Sequence, residues 1–412
     1  MRSARVWKRL LGVEHTVIDH VRYDDASGAL VALVRPTRSR RGRCGLCQRR
    51  CPGYDQGAGR RRWRTLDLGT VQAFLEADAP RVRCPRHGVV AAAVPWARHG
   101  AGFTRAFEDT AAWLATHTSR VAVAELLRVA WRTVGRVCAR VAAEQATMID
   151  LLEGLGRIGI DEISYKKGQR YLTVVVDHDQ GRLVWAAPGA CEATLEQFFD
   201  LLGESRCAKI ELVSADAADW IAAVVARRCP AAVRCADPFH VVKWATDALD
   251  AVRREVWNSA RKGGDTAVAR ELKGARFALW KNPEDLTRRQ RGKLARIAQV
   301  NQRLYRAYLL KEELRLVFKV KGPRAVALLD AWLAWARRCR IPAFVALARS
   351  VTTHRQPIVS SLLHGASNAR VESVNTRLRL LTRIAFGFRS TDALIGLAML
   401  SLGGLCPPLP GR

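Results

Sequence analysis

The chain has 412 residues, with 68 Lys and Arg against 38 Asp and Glu, a formal net charge of +30 and a pI of about 10.7. That surplus excludes an ordinary metabolic enzyme, while 49% hydrophobic residues are enough to bury the cores of roughly two to four domains. Of the basic residues 56 are Arg and 12 Lys, which favours the planar guanidinium that fits phosphate and leaves a polyanion as partner, nucleic acid or an anionic membrane. The membrane is disfavoured, because the longest apolar run, Leu394 to Cys406, is interrupted by Gly396, Ser401, Gly403 and Gly404 and is too short to span. The first residues hold no sustained apolar core, so a cytoplasmic location is expected. The 11 Cys are irregularly spread and are expected to be mostly reduced thiols, with Cys138, Cys207, Cys229 and Cys235 in the core.

In chain order, the first feature is the densest charge run, eleven Arg and one acid, Asp55, between Arg35 and Arg64. Strand-like stretches flank it, Ala29 to Val34 and Val71 to Val82, which predicts a small sheet carrying a basic loop. Within and after it lie Cys44-Gly-Leu-Cys47 and Cys84-Pro-Arg-His87, two knuckles with the same two-residue gap. Together they supply the four donors that tetrahedral zinc requires, with Cys51 a competing ligand and free thiols the alternative. A bound zinc would make Arg40, Arg41, Arg43, Arg49, Arg50, Arg60, Arg61 and Arg62 a rigid DNA-facing surface.

Helical periodicity then predicts segments Phe103 to Thr116, Val121 to Leu127 and Arg132 to Ala143. The last two, with a break at Arg128 to Ala130, have the layout of a helix-turn-helix. Arg132, Thr133, Arg136 and Arg140 fall on the polar side of the second helix, and Val134, Val137, Cys138 and Val141 turn inward. Plain packing of two short helices is the alternative.

Strands at Ile158 to Ser164, Tyr171 to Asp177 and Leu183 to Ala187 form an antiparallel meander. After it, helix Thr194 to Leu202, strand Ile210 to Ser214, helix Ala218 to Arg228 and strand Ala232 to Ala236 imply parallel strands covered by helices. From His240 to Val351 the pattern is almost wholly helical, and one more helix runs from Ser367 to Leu381. Acids are scarce, so their places matter. Asp161 stands on the first strand of the meander and Asp216 just past a strand end, where α/β sites assemble; Glu372 lies beside the apolar stripe of the last helix. Three such carboxylates suit divalent ions that process a phosphodiester, though helix caps and Arg-paired surface acids are the plainer account. Asp177 and Asp179 read as turn residues. Asp237, in Asp237-Pro-Phe-His240, is either a metal ligand with His240 as proton shuttle or phosphate donor, or the cap of the next helix.

The succession of knuckles, helix-turn-helix, Gly159-Ile-Asp161-Glu162, Ser214-Ala-Asp216, Ala236-Asp237-Pro-Phe-His240, Ser367-Asn-Ala-Arg-Val-Glu372-Ser-Val-Asn375 and Gly387-Phe-Arg389 resembles the insertion-sequence transposases of the ISL-three family over nearly the whole chain. The resemblance implies a multidomain α+β and α/β protein: a zinc-binding domain at 1–100, a helix-turn-helix domain at 101–150, and a ribonuclease-H-like catalytic domain at 151–245 and 361–412 interrupted by a helical insertion at 246–360. It implies Asp161, Asp216 and Glu372 as catalytic acids holding Mg²⁺ or Mn²⁺, with Asp237 and His240 supporting them and Cys44, Cys47, Cys84 and His87 holding structural Zn²⁺. Double-stranded DNA, as terminal inverted repeats and target, is the implied partner, contacted by Arg41, Arg43, Arg60, Arg61, Arg62, Arg132, Thr133 and Arg136, with Arg377, Arg379 and Arg383 steering strands. A homo-oligomer on bacterial nucleoid DNA, without membrane or small-molecule substrate, completes the expectation. A non-catalytic zinc and helix-turn-helix regulator, or a structure-specific nuclease on the same fold, would share most of these features.

Overall fold

The computed structural model describes residues 2–166, 168, 170–365, 369–385 and 387–411. The chain forms two compact units, Met1–Leu151 with Leu380–Arg412, and Leu152–Arg379.

The first unit opens with α1 (Arg2–Leu10), followed by β1 (Thr16–Asp24), β2 (Ala29–Pro36), β3 (Gly53–Asp55), β4 (Arg60–Arg64), β5 (Gln72–Asp78), β6 (Arg81–Cys84) and β7 (Gly88–Ala91). One sheet has the order β1-β2-β5-β4, its central β2–β5 pair parallel, and a second has the order β3-β6-β7. Period-two alternation puts Ala32, Val34, Trp63, Leu75 and Ala77 on one buried face of the larger sheet, against Trp96, whose ring meets Trp63 edge-on at 5.6 Å. The expected strands are present as β2, β5 and β6, whereas β1, β3, β4 and β7 were not foreseen. Strand β4, Arg-Arg-Arg-Trp-Arg, reads in isolation as a charge run. Its partner explains it, because Arg62 lies opposite Glu76 and Arg60 opposite Asp78 on β5.

Helices α2 (Arg105–His117), α3 (Arg120–Leu126) and α4 (Trp131–Met148) follow. Thr104 caps α2 by accepting from the Phe107 N–H at 3.3 Å, and Ser119 caps α3 through the Ala122 N–H at 3.2 Å. On α4 the expected Val134, Val137, Cys138 and Val141 are buried. The same unit holds the helix Thr391–Leu402, which packs on α4 and α2. A Cβ on Gly396 would stand 2.6 Å from the Ala139 Cα, so the two backbones meet at a small-residue contact. The helix is thus grouped with the first compact unit rather than with the five-stranded sheet. The apolar run was a signal for a helix-packing face of the first unit. Among the described residues no helix is long and apolar enough to cross a membrane.

The second unit contains β8 (Arg157–Lys166), β9 (Arg170–Asp177), β10 (Arg182–Pro188), α5 (Glu192–Leu202), α6 (Glu204–Cys207), β11 (Leu212–Ala215), α7 (Asp219–Arg228) and β12 (Val233–Ala236). These strands form one sheet in the order β10-β9-β8-β11-β12, antiparallel through the meander and parallel from β8 to β12. Both the meander and the parallel half match the expectation. The helical stretch comprises α8 (Pro238–Lys262), α9 (Thr266–Lys273), α10 (Arg276–Trp280), α11 (Arg288–Val300), α12 (Gln302–Val317), α13 (Pro323–Arg338), α14 (Pro342–Thr353) and α15 (Arg355–His364). It has its own core around Trp332, Phe344 and Leu310, with the Trp332 indole N–H donating to the Leu310 carbonyl at 2.8 Å. Helix α16 (Ala369–Ile384) carries Glu372, and Thr391–Leu402 is α17. The expected start at Ser367-Asn368 lies outside the described residues.

Candidate functional site

The two knuckles converge as foreseen. Cys44, Cys47, Cys84 and His87 bring one donor atom each within 4.8 Å of one another. The Cys47–Cys84 sulfurs are 3.7 Å apart, and the His87 Nδ1 lies 3.6 Å from both the Cys44 and the Cys84 Sγ. Zinc bonds of about 2.3 Å to sulfur and about 2.0–2.1 Å to nitrogen require tetrahedron edges of about 3.8 Å between sulfurs and about 3.6 Å between sulfur and nitrogen. The observed separations are therefore those of a Cys3His zinc site. Burial opposes the Cys84 thiolate, but the Arg86 and His87 N–H groups and the His87 imidazole outweigh it and pull the thiol down to about 6. Cys51 is buried beside the cluster and gives its thiol to the Arg49 carbonyl at 3.3 Å, outside the converging set. At Gly45 a Cβ would meet the His99 Nδ1 at 2.3 Å and the Ala91 carbonyl at 2.7 Å, so this knuckle has no room for a side chain.

Several arginines of the basic surface also hold partners within the domain. Arg62 pairs with Glu76 at 2.7 Å and Asp24 at 3.5 Å, and Arg60 with Glu76 at 3.4 Å and Asp78 at 3.7 Å. Arg61 donates to the Ala101 carbonyl at 2.7 Å and lies over Trp63, while Arg43 donates to the Ser39 and Gln48 carbonyls. Arg60 and Arg62 supply the cations that the buried Glu76 needs, while Arg61 and Arg43 satisfy backbone carbonyls. Arg40, Arg41, Arg49, Arg50, Arg60 and Arg62 are exposed. In the helix-turn-helix, Arg132 and Arg136 are exposed and Thr133 half-buried near the start of α4, as expected of a reading helix, but Arg140 turns in to the buried Glu108 at 3.0 Å. Sequence reasoning missed Arg128. It stands in the turn at φ +53° and binds Asp67 at 2.5 Å and the Thr70 carbonyl at 3.0 Å, tying the turn to the sheet domain.

The acids gather at one end of the five-stranded sheet. Ile160, Ala215 and Ala236 lie side by side across β8, β11 and β12, and the next residue of each strand is an aspartate: Asp161, Asp216 and Asp237. His240 Nδ1 reaches Asp216 at 2.6 Å and Asp237 at 2.8 Å, and these three are the group whose donor atoms lie within 4.8 Å of one another. Asp237 also caps α8 through the Phe239 N–H at 3.2 Å. The capping reading of it is met, and its carboxylate also stands in the converging group. Asp161 and Glu372 border this group. Burial and the Asp216 charge push Asp161 up to about 6, and burial followed by the Asp237 charge raises Glu372. Burial opposes the charged imidazole of His240, yet the bonds and charges of Asp216 and Asp237 push it up to about 10.

Three further residues position the acids. The Asn375 side chain, one turn beyond Glu372, donates to Asp161 Oδ2 at 2.5 Å, and its buried Oδ1 has no hydrogen-bond partner. His178 Nε2 and the Ser214 hydroxyl are hydrogen-bonded at 2.6 Å. Gly159 leaves space for α16, since a Cβ there would stand 2.3 Å from Val371 Cγ2. The i, i+3 spacing of Glu372 and Asn375 was the available signal; nothing local marked His178 or Gly159. A converging set of carboxylates in which burial first and like charge second raise Asp161 and Glu372, with an orphaned amide oxygen beside them, fits a divalent cation. On α16, Arg377, Arg379 and Arg383 are exposed, and the charge of Arg379 acts on Glu372.

A family model described as "Transposase", of the ISL3 type with a DDE domain, matches residues 158–397. Others match the helix-turn-helix domain of transposase family ISL3 at residues 92–142 and the zinc-finger of transposase IS204/IS1001/IS1096/IS1165 at residues 40–87. The chain belongs to the ISL3 family of transposases. This transposase is 59% identical, over 100% of its length and 98% of the relative's, to the transposase for insertion sequence element IS1557 of Mycobacterium tuberculosis. It is 25% identical, over 95% of its length and 96% of the relative's, to the transposase for insertion sequence element IS1001 of Bordetella parapertussis. The transposase is thus an enzyme that cleaves and transfers DNA strands, with a helix-turn-helix domain for binding DNA and a centre suited to divalent metal.

Proposed function

We propose that the five-stranded sheet is a ribonuclease-H-like core in which Asp161, Asp216 and Glu372 hold Mg²⁺ or Mn²⁺, supported by Asp237 and His240. The observation that carries this reading is the row of acids, each one residue past Ile160, Ala215 or Ala236 on three adjacent parallel strands, with α16 bringing Glu372 beside them. The strand order, three antiparallel strands joined through the first to two parallel ones, supports it. When bound, the ions supply the Lewis acidity that activates an oxygen nucleophile and stabilises the leaving oxygen of a phosphodiester. Asn375 keeps Asp161 Oδ2 fixed, and the charged His240 imidazole stands ready to donate toward a phosphate or leaving oxygen.

In this reading a zinc domain (1–100), whose Cys3His site holds structural Zn²⁺, and a helix-turn-helix (101–150) bind the terminal inverted repeats through Arg41, Arg132, Thr133 and Arg136. The catalytic parts at 151–245 and 361–412 flank the helical insertion (246–360). Hydrolysis at the element end frees a 3′-hydroxyl that attacks target DNA, with Arg377, Arg379 and Arg383 steering the strands. Two ends cut together call for a homo-oligomer on DNA in the bacterial cytoplasm. The test is an excision and strand-transfer assay on the element's own ends in Mg²⁺ or Mn²⁺, with Asp161→Asn, Asp216→Asn, Asp237→Asn and Glu372→Gln beside the parent. The reading expects variants at Asp161, Asp216 and Glu372 that bind ends but neither cut nor join, and it fails if any of the three cuts like the parent.

A further inference from the structure

Phe239 sits between two members of the acidic cluster and is used by neither the fold nor the chemistry described so far. Its neighbours are held in place: Asp237 is buried, and His240 bonds Asp216 and Asp237. Phe239 itself is 58% exposed. Its position is fixed, because its N–H donates to the Asp237 carboxylate in the first turn of α8, and its ring lies edge-to-face with the His240 imidazole at 6.0 Å. Among the described residues His240 is its one ring partner. A large apolar side chain left in water beside the Asp237–His240 pair gains little from packing, and a polar residue would suit the first turn of a helix better.

We propose that Phe239 is the stacking platform for one unpaired nucleobase next to the bond being cut. The proposal rests on the reading of Asp161, Asp216 and Glu372 as the cutting centre. The ion-holding carboxylates engage the phosphate being cut, and the exposed Phe239 ring beside them offers the adjoining nucleotide an uncharged contact for its base. Every base presents a π-face, so an aromatic platform accepts whichever base the element's end supplies. Within a duplex both faces of a base are already stacked, and the ring can take only a base displaced from the helix or freed at the end.

The test crosses Phe239 substitutions with removal of single bases. Phe239→Ala, Phe239→Leu and Phe239→Trp are compared with the parent on element ends that are intact or carry an abasic site at each position flanking the cut. Because the side chain is exposed, all three variants are expected to melt with the parent and to bind uncut ends normally. Phe239→Ala should lower kcat/KM for cleavage by about tenfold to a hundredfold, with Phe239→Leu similar and Phe239→Trp close to the parent. At one position the abasic site should cost the parent a comparable factor and cost Phe239→Ala almost nothing. Equal abasic penalties in both enzymes at every position, or cleavage by Phe239→Ala within about twofold of the parent, overturn the proposal. Asp161→Asn, run alongside, separates the two claims. If it is inactive while Phe239→Ala is normal, only the platform falls; if it cuts like the parent, the cutting centre falls and the placement of Phe239 beside it falls too.

Discussion

Replacing Gly159 by Ala adds one methyl group at the place where the catalytic sheet and α16 come closest. That methyl would stand 2.3 Å from Val371 Cγ2 and 2.8 Å from His178 Nε2. Carbon atoms pack at about 3.5–4.0 Å, so Val371 must retreat by more than about 1 Å. Val371 directly precedes Glu372, and Asn375, which grips Asp161, lies one turn further on. The expected stability loss is about 1–3 kcal/mol, the usual range for an overpacked core. The catalytic loss should be larger, since misplacing a reacting group by about 1 Å costs on the order of a hundredfold. First-strand cleavage at saturating end DNA and Mg²⁺, with end affinity and thermal melting measured in parallel, separates the two effects. Adding Val371→Ala removes the methyl that suffers the worst contact and should recover part of the rate, though not all, because His178 remains. A Gly159→Ala enzyme that cleaves within about threefold of the parent, or a double variant no faster than the single, would refute the reasoning.

Cys84→Ser or strong chelation should release the zinc, measured as metal per chain, and abolish end binding in a gel shift, while the melting of the second unit is retained. Arg132→Ala and Arg136→Ala should weaken end binding without changing Tm, whereas Arg62→Ala should lower stability by about 1–3 kcal/mol, because it removes a partner from the buried Glu76; chemical denaturation beside DNA titration distinguishes these roles. Asn375→Ala should reduce divalent-ion affinity, read by calorimetry, by about tenfold to a hundredfold. The Asp161 carboxyl is raised from 3.8 to about 6. Between those values the ion-free folded protein holds a proton that the unfolded chain has lost, so stability falls as pH rises through about 4 to 6 and levels off above. Divalent ions compete with that proton, and the rise in Tm they cause should grow across the same window.

Much of this was legible because it depends on local pattern. The meander, the parallel strands and the recognition helix follow from periodicity, and the knuckles from spacing. The acids were marked by scarcity: in a chain this basic, a carboxylate directly after an apolar strand is conspicuous. What stayed hidden depends on partners distant in sequence. Arg60 and Arg62 read locally as part of a charge run, and the acids Asp78 and Glu76 opposite them become visible only once β4 pairs with β5. Arg140 lay on the polar side of its helix until Glu108 turned out to be buried beneath it. Gly159 and His178 matter only through α16 and Ser214, and no local signal announces such a meeting. The apolar stretch at Thr391–Leu402 was visible, but its destination on α4 was not.

That last contact has a consequence for how the protein is made. The surface of α4 around Gly135 and Ala139 receives Ala393 and Gly396, more than two hundred residues later in the chain. Everything from Leu152 to Arg379 is synthesised in between. On the ribosome, the unit that holds the helix-turn-helix therefore stays open on one side until α17 emerges, by which time Asp161, Asp216, Asp237 and Glu372 have already been built. A prematurely terminated chain would lack the cover of its reading helix, so broken copies of the gene would yield poor competitors for the element's ends rather than potent inhibitors.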